Sequence, residues 1–442
     1  MSLSGLDIYK LLPKTNCKQC GFPTCLAFAM QLAKKAVSLE KCPFISAEVK
    51  ARLEEASAPP VKTVFLGPKK LAAGGETVLF RHEEKFRTPC AIGVIVDDST
   101  GAKGAASCVE KIKKIKTERI GQLLELNLVC VKQTAGAGAF AESAKAAAGS
   151  AGELALCLMS KDPAGLKSAL EVCGGQKPLI FGADASNLDP VCALAKQYSS
   201  PLVVSAPDLD SLSALTQECV KRGVSDLILD TGKKNMADKI WDLTQIRRLA
   251  LKKSVRSLGY PAVTVVENAD PYSEALEAGA YILKYSSLAL ISGANPWEAL
   301  ALMTLRQNIY TDPQKPLQIE PKVYPFGKVT EKSPVLVTTN FSLSFYTVAG
   351  EVEASKVPSY IISVDTEGMS VLTAWAAEKF TPEKVADSLK KCGVSEMVSH
   401  RRLIIPGYVA VMSGELEEAS NWQITVGPKE AAGIPQFLKN LH

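Results

Sequence analysis

The sequence predicts an α/β protein in three parts. These are a small N-terminal cysteine module, a central (βα)8 TIM-like barrel and a C-terminal doubly wound open sheet. Three observations carry this reading. Four of the twelve cysteines crowd into the first 42 residues. Eight short apolar runs alternate with helix-like segments between residues 62 and 310. A shorter alternation of the same kind begins at residue 335, after a stretch rich in proline.

The first part spans residues 1–58. It ends at SAPPVK (57–62), where two adjacent prolines follow a charged helical stretch and mark a linker. Its four clustered thiols are Cys17, Cys20, Cys25 and Cys42, spaced C-x2-C-x4-C-x16-C, with Pro43 directly after the last. Thiolates are soft ligands for iron–sulfur clusters or zinc. Structural zinc sites tend to repeat a tight C-x2-C knuckle. Here three cysteines share one loop and the fourth returns alone after a helix, which suits a cubane [4Fe–4S] cluster better. Zinc, or four reduced core thiols, are the alternatives the spacing leaves. Gly21 can take a positive φ and Pro23 stiffens the loop. Thr24 is placed to cap a helix over CLAFAMQLAK, from Cys25 to about residue 35.

The second part, residues 62–310, supplies the runs AIGVIVDD (91–98), LNLVC (126–130), ALCLM (155–159), PLIFGAD (178–184), PLVVSA (201–206), DLILD (226–230), AVTVV (262–266) and YILKY (281–285). Their continuous apolar character is that of parallel strands buried on both faces. Helices are expected between them, among them one over VEKIKKIKTERIGQLLE (109–125). A doubly wound sheet is the alternative; the count of eight favours the barrel. Residues 311–334, with Pro313, Pro316, Pro321, Pro325 and Pro334, read as an extended linker. The third part, 335–442, has strands at 334–339, 360–366, 402–407 and 422–427, and helices at about 343–354, 370–379, 383–392 and 409–419. Such a unit has the size of a flavodoxin-like or cobalamin-binding domain and binds ligands beyond the carboxyl ends of its strands.

Composition narrows the function classes. Lys+Arg 51 against Asp+Glu 46 gives a net charge of +5, with no dense basic run, so nucleic-acid binding is not indicated. The N-terminus lacks an apolar signal core and no stretch reaches a membrane-spanning length, so a cytoplasmic protein is expected. Twelve cysteines without an export signal argue for metal ligands over disulfides. Cys90, Cys108, Cys130, Cys157, Cys173, Cys192, Cys219 and Cys392 have no short ligand spacing and read as buried small apolar residues.

NCKQCGFPTCLAFAMQLAKK, the downstream KCPF, and the barrel and small α/β domain that follow resemble the large-subunit family of corrinoid iron–sulfur proteins, over the whole chain in domain order and length. The resemblance implies a methyl carrier of the anaerobic acetyl-CoA (Wood–Ljungdahl) pathway rather than a stand-alone enzyme. In that family a corrinoid cobalt takes a methyl group from methyltetrahydrofolate, delivered by a separate methyltransferase. It then passes the methyl to acetyl-CoA synthase/CO dehydrogenase. The cluster returns Co(II) to Co(I), fed by a reductive activator. A small barrel subunit is implied as heterodimer partner. The resemblance assigns the barrel no chemistry, although Asp97, Asp98 and Asp230 fall at strand ends where barrel enzymes keep catalysts.

The cobalamin signature Asp-x-His-x-x-Gly is missing, and the histidines are only His82, His400 and His442. A base-off corrinoid without protein imidazole is therefore expected, which favours Co(I). With the resemblance in place, four loops supply candidate contacts. The first is TTNFSLSFYT, with Asn340, Tyr346 and Thr347. DTEGMSVLT follows, with Gly368, Met369, Ser370, Val371, Leu372 and Thr373, the last expected near the lower face of cobalt. PGY offers Gly407 and Tyr408, and GPKEAAGIP offers Ala431, Ala432 and Gly433. Ordinary βα turns would also be rich in Gly, Ser and Thr. Two other functions fit the pattern: an iron–sulfur/flavin electron-transfer protein, and a folate-dependent methyltransferase working in the barrel.

Overall fold

The structure, a computed structural model, describes residues 5–33, 37, 41–46, 49, 59–232 and 234–441. The expected boundary at residue 58 and His442 lie outside them. The chain divides into two compact units. The first holds residues 1–115 and 125–310, the second residues 116–124 and 311–442.

Among the described residues the strands are β1 (Thr63–Leu66), β2 (Leu71–Gly74), β3 (Ala91–Asp97), β4 (Lys116–Arg119), β5 (Gln122–Glu125), β6 (Leu128–Lys132), β7 (Ala155–Met159), β8 (Leu179–Ala183), β9 (Leu202–Ser205), β10 (Leu227–Asp230), β11 (Val263–Val266), β12 (Leu288–Ile291), β13 (Val323–Phe326), β14 (Val335–Thr339), β15 (Ser359–Val364), β16 (Arg402–Ile405) and β17 (Gln423–Val426).

In the first unit eight parallel strands run in the order β10-β9-β8-β7-β6-β3-β12-β11. A lone parallel bridge from Leu229 to Ala262 ties the two ends, so the barrel is nearly closed. Its interior is one apolar cluster to which every strand contributes, including Ile95, Cys130, Cys157, Phe181, Val203, Ile228, Val263 and Leu290. Gly93 leaves space there: a Cβ on it would sit 2.5 Å from Leu128 Cδ2 and 2.8 Å from Leu290 Cδ2. The β1–β2 hairpin adds Val64 and Leu66 to this core. Gly67, at φ +64, turns that hairpin against Ala155, the first residue of β7, so the hairpin plugs the amino end of the barrel.

Seven of the expected strands stand where the apolar runs lie. The eighth does not. YILKY forms the end of the helix Pro271–Leu283 and the following Tyr285, with Tyr281 and Ile282 buried, and the strand is the next run, Leu288–Ile291. The helix expected over 109–125 is also corrected. It spans Gly101–Lys114 and stops there, and Lys116–Glu125 folds as the β4–β5 hairpin. Ile120 and Gly121 turn that hairpin with φ +55 and +69, the two positive angles of a type I′ turn.

One buried acidic pair in the barrel shell sets a pH dependence. Glu274 accepts from Ser292 N and Oγ, each at 2.7 Å, and from Gly293 N at 3.2 Å. Glu298 lies beside it, fully buried and bonded to Asn295 Nδ2 at 3.2 Å. Burial, with the adjacent Glu274 charge, pushes the Glu298 carboxyl up to about 7. Because the folded value lies above the unfolded one, the stabilisation is full below the unfolded carboxylate range, near 4.3, and is lost as pH rises to about 7. Denaturant titrations across that window should show stability falling with pH, and Glu298→Gln should flatten the slope.

In the second unit the sheet order is β13-β15-β14-β16-β17, with β13 antiparallel and the other four parallel. Helices cover both faces. Phe345, Ala349 and Val352 of Ser342–Ser355 pack on one face with Ile434 and Leu438. Val385, Ala386 and Leu389 of Pro382–Lys391 pack on the other with Leu416. The stretch expected to be a linker is partly sheet. Val323–Phe326 is an edge strand on β15, where Pro325 is tolerated because an edge leaves one side of the ladder unused.

Candidate functional site

The strand order of the second unit reverses between β14 and β16: β15 follows on one side, β17 on the other. Open α/β sheets hold ligands at such a point, beyond the carboxyl ends of the strands. A cavity of about 340 Å³ lies there. Leu336, Val337, Ile404 and Ile405 from β14 and β16 line it together with Leu343, Val348, Leu372 and Phe437. Polar groups join them from Thr338, Ser344, Thr347, Ser370 and Tyr408. The Thr338 hydroxyl is buried without a hydrogen-bond partner. A buried orphan hydroxyl costs free energy unless a bound group satisfies it.

Of the residues expected from the sequence, Thr347, Ser370, Val371, Leu372, Tyr408 and Ala431 line the cavity. The others do not, each for a visible reason. Asn340 is 1% exposed and fully engaged in holding the 365–368 turn. Its Oδ1 accepts from Thr366 N, Thr366 Oγ1 and Gly368 N at 2.9–3.0 Å, and its Nδ2 donates to Gln318 and Asp365. Gly368, at φ +77, serves that turn and faces Gln318. Met369 packs into the core on one face of the sheet. Tyr346 is turned outward against the edge of the Phe345 ring. Thr373 is exposed, and its hydroxyl lies 3.0 Å from that of Ser370, so it stands one hydrogen bond behind the lining. Gly407 is a packing glycine: a Cβ there would fall 2.6 Å from Gly427 O and 2.8 Å from Lys429 N. Gly433 packs on Pro428, and Ala432 is exposed. Thr338, Leu343, Ser344, Pro406, Pro428 and Phe437 are lining residues that the sequence reading passed over.

The Tyr408 hydroxyl donates to Glu430, which ties the 407–412 turn to the 427–433 loop across the cavity. That bond to a carboxylate raises the Tyr408 phenol above its usual range. No histidine among the described residues lines the cavity. His400 sits before the amino end of β16, whose carboxyl end lines the cavity, with Nε2 3.0 Å from Ser333 O. His82 stacks on Phe80 in the first unit.

The N-terminal segment gathers three of its four thiols round one small core. Cys25 is in the buried cluster with Ile8, Leu12, Phe28 and Ala29, and Cys20 and Cys42 pack against it. Cys17 is half-buried. Cys25 opens the helix Cys25–Ala33, and Thr24 Oγ1 accepts from Ala27 N at 3.1 Å, the capping bond expected from the sequence. Asn16 closes the loop from the other side. Its Oδ1 accepts from Cys25 N at 2.8 Å, while Asn16 N donates to Cys25 Sγ at 3.4 Å. Gly21 takes φ +82 in the turn after Cys20. Among the described residues, no group of three or more His, Cys, Asp and Glu side chains is arranged round a single metal ion. Four soft thiols on one short loop and its return have the chemistry that suits an iron–sulfur cluster. The remaining cysteines are small packing residues. Six are buried, Cys108 and Cys392 are half-buried, and burial pushes the Cys90 and Cys173 thiols up to about 12.

Comparison with known proteins decides the family. Over 441 residues the chain is 44% identical to the corrinoid/iron-sulfur protein large subunit of Moorella thermoacetica, covering 99% of each chain. The chain belongs to the corrinoid/iron–sulfur protein large-subunit family. Other members include the acetyl-CoA decarbonylase/synthase complex subunit gamma of Methanothermobacter thermautotrophicus, 36% identical over 100% of this chain and 99% of that one. The gamma subunit of Methanocaldococcus jannaschii is 32% identical over 99% and 96%. A family model described as "CO dehydrogenase/acetyl-CoA synthase delta subunit" matches residues 63–438, and one described as "Putative Fe-S cluster" matches 12–44. The second span contains all four clustered cysteines. Among solved structures, 7,8-dihydropteroate synthase from Vibrio fischeri overlaps 51% of this chain and 95% of its own, at 12% identity and a TM-score of 0.38, too loose a likeness to argue from. Among the described residues no helix is long and apolar enough to cross a membrane.

Proposed function

We propose that the chain is a cytoplasmic methyl-group carrier that holds a base-off corrinoid at the β14/β16 cavity and a [4Fe–4S] cluster on Cys17, Cys20, Cys25 and Cys42. The observation that carries this reading is the apolar cavity at the sheet's switch point, with an orphan hydroxyl, in a member of this family. When bound, the corrinoid supplies a cobalt nucleophile that takes a methyl group from methyltetrahydrofolate and yields it to acetyl-CoA synthase, and the cluster supplies the electron that restores it. The chain's own part is positioning. Leu336, Val337, Ile404 and Ile405 offer an apolar floor that excludes water, and Ser344, Thr347 and Ser370 offer hydroxyls to polar side groups. Val371, Leu372 and Ala431 complete the contact set. The small subunit, the methyltransferase, acetyl-CoA synthase/CO dehydrogenase and a reductive activator are its partners in this reading.

In this reading cobalt takes neither its own nucleotide base nor a protein imidazole, and no histidine stands among the described lining residues. Electron paramagnetic resonance of the Co(II) state should show no nitrogen superhyperfine splitting. Thr373→His, one hydrogen bond behind the lining, should make reduction to Co(I) harder by adding a nitrogen ligand. Nitrogen splitting in the wild-type spectrum would contradict the reading. A flavin-type visible spectrum would instead favour an iron–sulfur/flavin electron carrier.

A further inference from the structure

Two of the packing cysteines meet in the barrel shell. Cys192 lies in the helix Leu188–Tyr198 and Cys219 in the helix Leu209–Lys221, before and after β9 in the chain. Their sulfurs stand 3.7 Å apart, and both residues are buried, at 2% and 0% exposure. A disulfide needs about 2.05 Å between its sulfurs, so the pair has less than about 2 Å to close. Packed helices make shifts of that size.

The surroundings hold the pair in place close to solvent. Arg222, one turn beyond Cys219, donates from Nε to Asp189 Oδ1 at 2.6 Å and from Nη1 to Glu218 Oε2 at 2.7 Å. Asp189 stands one turn before Cys192 on the other helix. This clasp joins the two helices one turn from the sulfurs, and its Asp189 end is exposed. The bond with Cys219, helped by the Arg222 charge, holds the Cys192 thiol below its usual range. The same bond, with burial, holds Cys219 above it. The two thiols are therefore unequal, one suited to attack and the other to follow. Cys130 and Cys157 offer a contrast. They are Cα partners on β6 and β7, but they lie in the barrel interior, both at 0% exposure, on strands fixed by the sheet ladder. Burial pushes the Cys157 thiol up.

We propose that Cys192 and Cys219 are a reversible redox site, which a hydroperoxide converts to a disulfide that staples the two helices. The Cys192 thiolate attacks one peroxide oxygen. The O–O bond breaks, and the leaving oxygen takes the Cys192 proton, which makes water from hydrogen peroxide. Cys192 is then a sulfenic acid. The Cys219 sulfur attacks that sulfur, the S–O bond breaks, and hydroxide leaves as water with the Cys219 proton. Two electrons and two thiol hydrogens have passed to the peroxide, and a dithiol reverses the change by exchange.

The test treats the full-length protein with hydrogen peroxide, blocks remaining thiols and digests without reductant. Mass spectrometry should find peptides joined through Cys192 and Cys219, two hydrogens lighter than the separate peptides and released by dithiothreitol. Cys219→Ser should lose the link and leave Cys192 as a sulfenic acid that dimedone traps. Cys192→Ser should lose the link and leave Cys219 unlabelled. Cys130 and Cys157 should stay reduced throughout. Mapping of the unaltered chain decides the matter if either variant does not fold. Absence of the Cys192–Cys219 link, equal linkage of Cys130 to Cys157, or dimedone labelling of Cys219 in Cys192→Ser would overturn the proposal.

Discussion

Cys20→Ala should abolish reductive reactivation while leaving corrinoid content close to wild type. Cys20 belongs to the first unit and packs on the small core of Ile8, Leu12 and Phe28, whereas the cavity belongs to the second unit. A cubane cluster needs a thiolate on each of its irons, so removing one releases or degrades it. Iron should fall from about four per chain toward none. Methyl transfer started from chemically reduced protein should survive, because it needs the cavity and not the cluster. Reactivation at the wild-type rate by physiological electron donors would show that the cluster does not have the proposed role.

Gly407→Val should empty the cavity. A Cβ at residue 407 meets Gly427 O at 2.6 Å and Lys429 N at 2.8 Å, both backbone atoms that no rotamer change can move aside. The 407–412 turn and the 427–433 loop must then part, which breaks the Tyr408–Glu430 bond and separates two walls of the site. Overpacking of this kind costs about 1–3 kcal/mol. The variant should lose cobalt and keep its iron, the opposite of Cys20→Ala. Loss of both metals together would point to general unfolding, and retention of both would remove the cavity from the account.

Much of this fold is legible because burial leaves a simple mark. Seven barrel strands read as continuous apolar runs, since a barrel strand is covered on both faces. The eighth was masked by its neighbour. Tyr281 and Ile282, the buried end of a helix, lie only a few residues before Leu288–Ile291, and a short apolar run does not distinguish helix from strand by periodicity. The β4–β5 hairpin carried its own signal in Ile120-Gly121, but the lysine-rich rhythm before it imitates a helix face. In the site, the sequence locates the loops, because carboxyl ends of parallel strands are where ligands gather. It does not say which side chains of each loop turn inward. Asn340 has the right chemistry, but its hydrogen bonds are used within the protein, while Thr338, two residues earlier, lines the cavity with a hydroxyl left without a partner.

The central claim is that one chain carries both a corrinoid and a cubane cluster. Metal analysis of protein purified without oxygen, together with its visible spectrum, tests it most directly. The account predicts about one cobalt and about four irons per chain, with corrinoid absorption bands. Zinc in place of iron, or iron without cobalt, would contradict it.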